Sequence, residues 1–130
     1  MIFLDTSGRE HRVDIRPSRW KIKDNGRGKF QTEVGRLLED MFPGCHVLEE
    51  FPCFGERLHL DFFLPRRMLA VEVQGDQHHK FNPFFHKSKA DFLAQRKRDK
   101  VKEKWCSINE IRLVKIDWGE DEENIKSKLS

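Results

Sequence analysis

The chain has 130 residues, of which 36% are charged, and a mean hydropathy of −0.75. That length holds one domain with a real core but no separate DNA-reading module beside a catalytic one, and no apolar run approaches the ~20 residues of a membrane span. The net charge is only +3, yet the 25 Lys and Arg are unevenly placed, concentrated in residues 9–29 and 87–104, while 120–123 is acidic, as expected for a polyanion-binding face or a solvated charged surface.

The opening MIFLDTSGRE has neither a basic start nor a long apolar core, so no secretory signal is expected. Met1–Leu4 and Val13–Ile15, separated by Thr6-Ser7-Gly8-Arg9, read as a small hairpin. The following RPSRWKIKDNGRGK places Arg16, Arg19, Lys21, Lys23, Arg27 and Lys29 on a Gly-containing connector that suits a phosphate backbone or solvent. Residues 1–29 are therefore expected to form a hairpin and basic arm, and 30–130 the core.

Phe30 to Phe42 has apolar residues at helical spacing, stopped by Pro43-Gly44, with Glu33 at the edge of the apolar stripe. An acid there costs free energy unless it is partnered. Cys45 to Phe54 reads as a strand. Cys45, Cys53 and Cys106 form an odd set without a CxxC pair, which fits reduced thiols in a cytoplasm. Cys45, His46, Cys53 and His59 match no standard zinc-finger spacing, so buried cysteines are the plainer reading.

Leu58 to Gln74 reads as two strands. Leu58, Leu60, Phe62 and Leu64 alternate with His59, Asp61 and Phe63; Leu69, Val71 and Val73 alternate with Ala70, Glu72 and Gln74. A symmetric even loop centred on Pro65-Arg66-Arg67 sets Asp61 directly opposite Glu72. Opposed residues have Cβ atoms roughly 5 Å apart, where like charges destabilise the pair unless something offsets them. A divalent cation does so, and hard oxygen ligands suit Mg²⁺ or Mn²⁺.

After Gly75 comes DQHHKFNPFFHKSK, with His78, His79, Lys80, His86 and Lys87. Its aromatic residues Phe81, Phe84 and Phe85 either cap the sheet or wedge between bases. Ser88 to Cys106 reads as a long helix, with Ala90, Leu93, Val101 and Trp105 on one stripe and Phe92, Asp99 and Cys106 on another. Ile111–Ile116 reads as a last strand and Glu120–Leu129 as a frayed helix. The order gives an α/β core with a mixed central sheet of about four strands flanked by helices, plus the N-terminal hairpin.

Asp61, an intervening hairpin and then Glu72-Val73-Gln74 resemble the PD-(D/E)XK nuclease signature. VEVQGDQHH, followed by RKRDKVKEKWCSINEIRLVKI, is similar to the branch containing very-short-patch-repair endonucleases and EDxHD homing endonucleases. The likeness runs from about Phe30 to Trp118. Leu60 stands where the signature has proline, and Gln74 where most members have lysine.

The resemblance implies a restriction-endonuclease-like fold and a Mg²⁺- or Mn²⁺-dependent endonuclease acting on double-stranded DNA, with no membrane partner, compatible with a homodimer. It implies a homing-type or nicking enzyme, cytoplasmic and of phage or mobile-element origin. Alternatives are a repair or junction-resolving nuclease, or a non-catalytic DNA-binding protein of the same fold. It further implies that Asp61 and Glu72 hold the metal and that Glu33 leans into the site. His78 would meet a phosphate or water, and Asp99 would orient His78 or reach the metal through water. Gln74 can hydrogen-bond a water but cannot take its proton, which leaves that task to His78, a second water or Lys80. Arg16, Arg19, Lys21, Lys23, Arg27, Lys29, Lys80 and Lys87 are the expected DNA contacts.

Overall fold

The computed structural model describes residues 1–16, 28–74 and 88–130. Strand β1 (Ile2–Leu4) pairs antiparallel with β2 (Glu10–Arg12), with Ile2 opposite Arg12. The second arm thus precedes the expected Val13–Ile15, because the Asp5 carboxylate tightens the turn. Its Oδ1 accepts from the Ser7 and Arg9 backbone N–H groups, both at 2.9 Å, and from the Ser7 hydroxyl at 2.6 Å. His11 Nε2 lies 2.9 Å from Oδ2, and His11, then Ser7 and Arg9, hold the Asp5 carboxyl well below the usual range.

Helix α1 (Lys29–Met41) buries Val34, Leu37 and Leu38 as its spacing predicts. Strands β3 (Leu48–Cys53), β4 (Leu58–Leu64), β5 (Leu69–Gln74) and β6 (Arg112–Asp117) form one sheet in that order. The first three are antiparallel, and β6 runs parallel to β5 after the crossover helix α2 (Lys89–Ile108). Pro52 is tolerated in β3 because that strand lies at the sheet edge. A 3₁₀ turn, Pro65–Arg67, joins β4 to β5. The ladder pairs Phe62 with Val71, Phe63 with Ala70 and Leu64 with Leu69, which is the register expected from the sequence.

Each face of the sheet carries its own core. On one, α1 and the terminal helix α3 (Glu122–Leu129) pack Val34, Leu38, Ile125 and Leu129 against Phe62, Leu64, Val71 and Ile116. On the other, Trp105 and Cys106 of α2 meet Phe3, Phe51, Leu60 and Phe63. Phe3 stacks on Trp105 with centroids 5.4 Å apart. Asn109, just past α2, accepts from Leu4 N at 2.8 Å and donates to Leu4 O at 2.9 Å, so the N-terminal hairpin is fastened to the end of that helix.

Three expectations need correction. Leu58, Leu60, Phe62 and Leu64 do not share a face: Leu58 and Leu60 join Phe63 on the α2 side, while Phe62 and Leu64 face α1. β3 shifts phase at the matching place, with Leu48, Phe51 and Cys53 all on the α2 side, and Glu50 between them has the left-handed φ of 48°. The predicted apolar stripe of α2 is buried only at its end, since Ala90 and Leu93 are exposed. Helix α3 is not frayed, because Ile125 and Leu129 are buried and Asp121 caps it by accepting from Asn124 N at 2.8 Å. Among the described residues no helix is long and apolar enough to cross a membrane.

Candidate active site

The ladder between β4 and β5 stops at Phe62 and Val71, and the next pair outward in that register is Asp61 and Glu72. There side chains replace the missing backbone ladder. The Val73 N–H donates to Asp61 Oδ2 at 2.8 Å, and the Asp61 N–H donates to Glu72 Oε2 at 3.3 Å. Two acids expected to face each other from sequence alone are thus interlocked between diverging strands. Continuing across β3, the register sets Glu50 opposite Asp61.

Glu72 is 6% exposed and Gln74 5% exposed, both on the face that α2 covers. A buried carboxylate requires a counter-charge. Lys102 supplies it from α2, with its Nζ 2.7 Å from Glu72 Oε1. Burial opposes the Lys102 charge, but the Glu72 and Asp61 carboxylates outweigh it and hold the ammonium above its ordinary pKa. Burial first, and then the hydrogen-bonded Glu72 carboxylate, push Asp61 up to about 8. The Asp61–Glu72 pair therefore holds on to a proton more readily than free carboxyl groups do, beside the Lys102 ammonium.

Glu72, Gln74, Asp99, Lys102 and Lys115 border a cavity of about 10 Å³, close to the room that one water needs. Asp99 thus borders the same small space as Glu72 and Gln74. Lys102 is a site residue that the sequence reading missed, although it follows Asp99 by three residues and so shares its helix face. That spacing is the signal by which it could be found. Lys115, opposite Glu72 in β6, is paired with Glu103.

Glu33 does not join this cluster. It is exposed on α1 and lines a separate cleft with Phe30, Val73 and Trp118, because α1 covers the sheet face opposite to α2. Arg16 is exposed but held by Asp14, its Nη2 2.6 Å from Asp14 Oδ2. Lys29 is exposed at the start of α1. His78, Arg19, Lys21, Lys23, Arg27, Lys80 and Lys87 lie outside the described residues, as do His79, His86 and Phe81, Phe84 and Phe85. On α2 itself Lys89, Arg96, Lys97, Arg98, Lys100 and Lys104 are exposed, giving the helix a basic surface.

The cysteines are free, and burial pushes the Cys106 thiol up to about 12 and raises Cys53 still further, so neither is a ready thiolate. Among the described residues no group of three or more His, Cys, Asp or Glu side chains is placed to hold a metal. Asp61 and Glu72 are a pair, a donor set that fits Mg²⁺, which takes one or two carboxylates and completes its shell with water and phosphate.

Two curated viral relatives match the chain. Uncharacterized protein 033L of Invertebrate iridescent virus 3 is 37% identical over 105 residues, covering 73% of this chain and 54% of the relative. Uncharacterized protein 307L of Invertebrate iridescent virus 6 is 41% identical over 59 residues, covering 45% of this chain and 30% of the relative. The chain thus spans about half or less of the curated relatives it matches. No family model and no solved structure matches it.

Proposed function

We propose that the chain is a Mg²⁺- or Mn²⁺-dependent endonuclease that hydrolyses phosphodiester bonds in double-stranded DNA. The observation that carries this reading is the interlocked Asp61–Glu72 pair with the Lys102 ammonium beside it. Like charges are expensive at opposed strand positions, and here the two acids lie where the β4–β5 ladder ends, with Glu72 bordering a water-sized cavity. A perturbed acid gathered with a second acid and a lysine beside such a space is characteristic of catalytic sites. Their likeness to the PD-(D/E)XK signature supplies the reaction class, and viral relatives are in keeping with a virus-encoded enzyme working in the host cytoplasm.

In this reading Asp61 and Glu72 hold the cation. When bound, that ion acidifies a water and neutralises charge on the scissile phosphate. The remaining work falls to the chain. Lys102 offers ammonium protons to a phosphate oxygen and keeps its charge near neutral pH. Gln74 orients a water without taking its proton. Asp99 accepts a hydrogen bond from the far side of the small cavity, and the basic surface of α2 attracts the polyanion.

The test is incubation of wild type, Asp61→Asn and Glu72→Gln with supercoiled plasmid, linear duplex and branched DNA, each with Mg²⁺ and with EDTA. Wild type should cut with Mg²⁺ alone, and both variants should lose at least 100-fold in rate, the order expected when a group that stabilises transition-state charge is removed. Equal cutting by wild type and both variants, or no cutting of any substrate by wild type, would refute the assignment. The substrate preference would separate a sequence-specific enzyme from a repair or junction-resolving one.

A further inference from the structure

We propose that the cleft between the start of α1 and the end of β6 binds a single unstacked nucleobase of the DNA substrate, packed against Trp118. The identity of the polymer rests on the nuclease reading. The cleft itself does not: it has a volume of about 480 Å³, with Phe30, Trp118 and Val73 among its walls and Lys29 and Glu33 at its border.

Trp118 is 71% exposed, the most exposed large hydrophobic residue among those described, whereas Trp105 is fully buried. Single exposed hydrophobic residues are common and need no function. Trp118 differs because its position is fixed and shared. Its backbone N–H donates to Gln74 O at 2.6 Å, and its ring lies 6.1 Å from that of Phe30 at 53°. Rings tilted in this way do not cover one another's faces, so the indole keeps a face for stacking, and every base offers a π-face for that contact.

Charge selects the orientation. The exposed Glu33 carboxylate repels a phosphate but accepts a hydrogen bond from the amino group of adenine, cytosine or guanine. The Lys29 ammonium, also exposed, attracts the phosphate outside. A base in the cleft with its phosphate outward satisfies both groups. The wall it shares with the carboxylate site is Val73, whose N–H is held by Asp61, and Gln74, which anchors Trp118, borders the water-sized cavity. The base site and the acid pair are therefore two sides of one strand end. A second copy of the chain is a poorer occupant, since seven residues line the cleft and a stable interface uses about 20–30 on each side.

The experiment measures DNA binding in EDTA, so that cleavage does not intervene. Duplexes with one unpaired 2-aminopurine, and fully paired duplexes of the same sequence, are titrated with full-length wild type, Trp118→Ala and Trp118→Phe. Wild type should prefer the unpaired form and quench its emission. Trp118→Ala should weaken that form about 5- to 150-fold, the range for losing one aromatic–base stack, and leave paired duplex unchanged. Trp118→Phe should retain most of the preference. Equal urea midpoints show that the variants fold. If wild type cuts plasmid but Trp118→Ala binds the unpaired duplex as tightly as wild type does, the base site is refuted and the nuclease reading stands. If wild type neither binds nor cuts DNA, both fall. A drop in oligomer size on Trp118→Ala, read by sedimentation, would refute the base site in favour of self-association.

Discussion

Asp61→Asn should stabilise the cation-free protein at neutral and mildly alkaline pH. The asparagine amide oxygen can accept from Val73 N–H as the carboxylate does, and its NH₂ can donate to Glu72 where Asp61 now needs a proton. In the folded state Asp61 keeps that proton up to about 8, whereas the unfolded chain releases it near 3.8. Between those values the folded state binds more protons, so this residue's effect on stability becomes less favourable as pH rises from about 4 to 8. At about 1.4 kcal/mol per unit the shift sets a ceiling of roughly 5–6 kcal/mol. Solvent access at the half-buried site reduces it, and about 1–3 kcal/mol at pH 8 is expected. Urea unfolding of both proteins at pH 5, 6.5 and 8, in EDTA, gives the difference directly. It should be smallest at pH 5 and grow in favour of the variant as pH rises. Parallel pH profiles, or a variant less stable at pH 8, would refute the account of Asp61 as a strained acid.

Lys102→Met keeps the aliphatic stem but leaves Glu72 without its ammonium, and should cost about 1–3 kcal/mol at neutral pH; Mg²⁺ should restore part of that loss in thermal unfolding, and an unchanged stability would remove Lys102 as the counter-charge. Replacing Arg19, Lys21 and Lys23 with alanine should weaken binding to all DNA sequences and lower the salt slope by about one unit for each phosphate no longer neutralised. A slope equal to that of wild type would assign the arm to solvent.

The acid pair is legible in the sequence because it depends on short-range rules alone. Alternation along Leu58–Leu64 and Leu69–Gln74 and the centre of a short loop fix which residues oppose one another, and no tertiary information is needed. What alternation cannot reveal is the phase break at Asp61. Register counts residues, and the β3–β4 register resumes unchanged past Glu50 and Asp61 while both strands change which face they present, so the register survives and the face assignment does not. The buried end of α2 is hidden for a different reason. A helix can satisfy its backbone wherever it projects, so the apolar positions Ala90 and Leu93 stay exposed although they match the period of the buried Trp105. Lys102 is hard to single out because, apart from its spacing of three from Asp99, nothing distinguishes it from the other lysines of a charged helix, and the docking of α2 brings it to Glu72.

That inward lysine bears on the departure at Gln74. The resemblance leads one to expect a cation two residues after Glu72 on the strand, and the structure brings one to Glu72 from the covering helix instead. A neutral side chain at Gln74 is then compatible with the chemistry, and a second ammonium on that buried face would be costly. The cluster also balances in both of its states. With one proton shared by the Asp61–Glu72 pair and an ammonium at Lys102, it carries no net charge. Under the nuclease reading, a divalent ion taking the place of that proton would leave one net positive charge, which matches the single negative charge of a phosphodiester. In that reading cation binding thus releases a proton and becomes tighter as pH rises toward 8, and the burial that raises the Asp61 pKa keeps the site from remaining a pair of bare carboxylates that would repel the substrate.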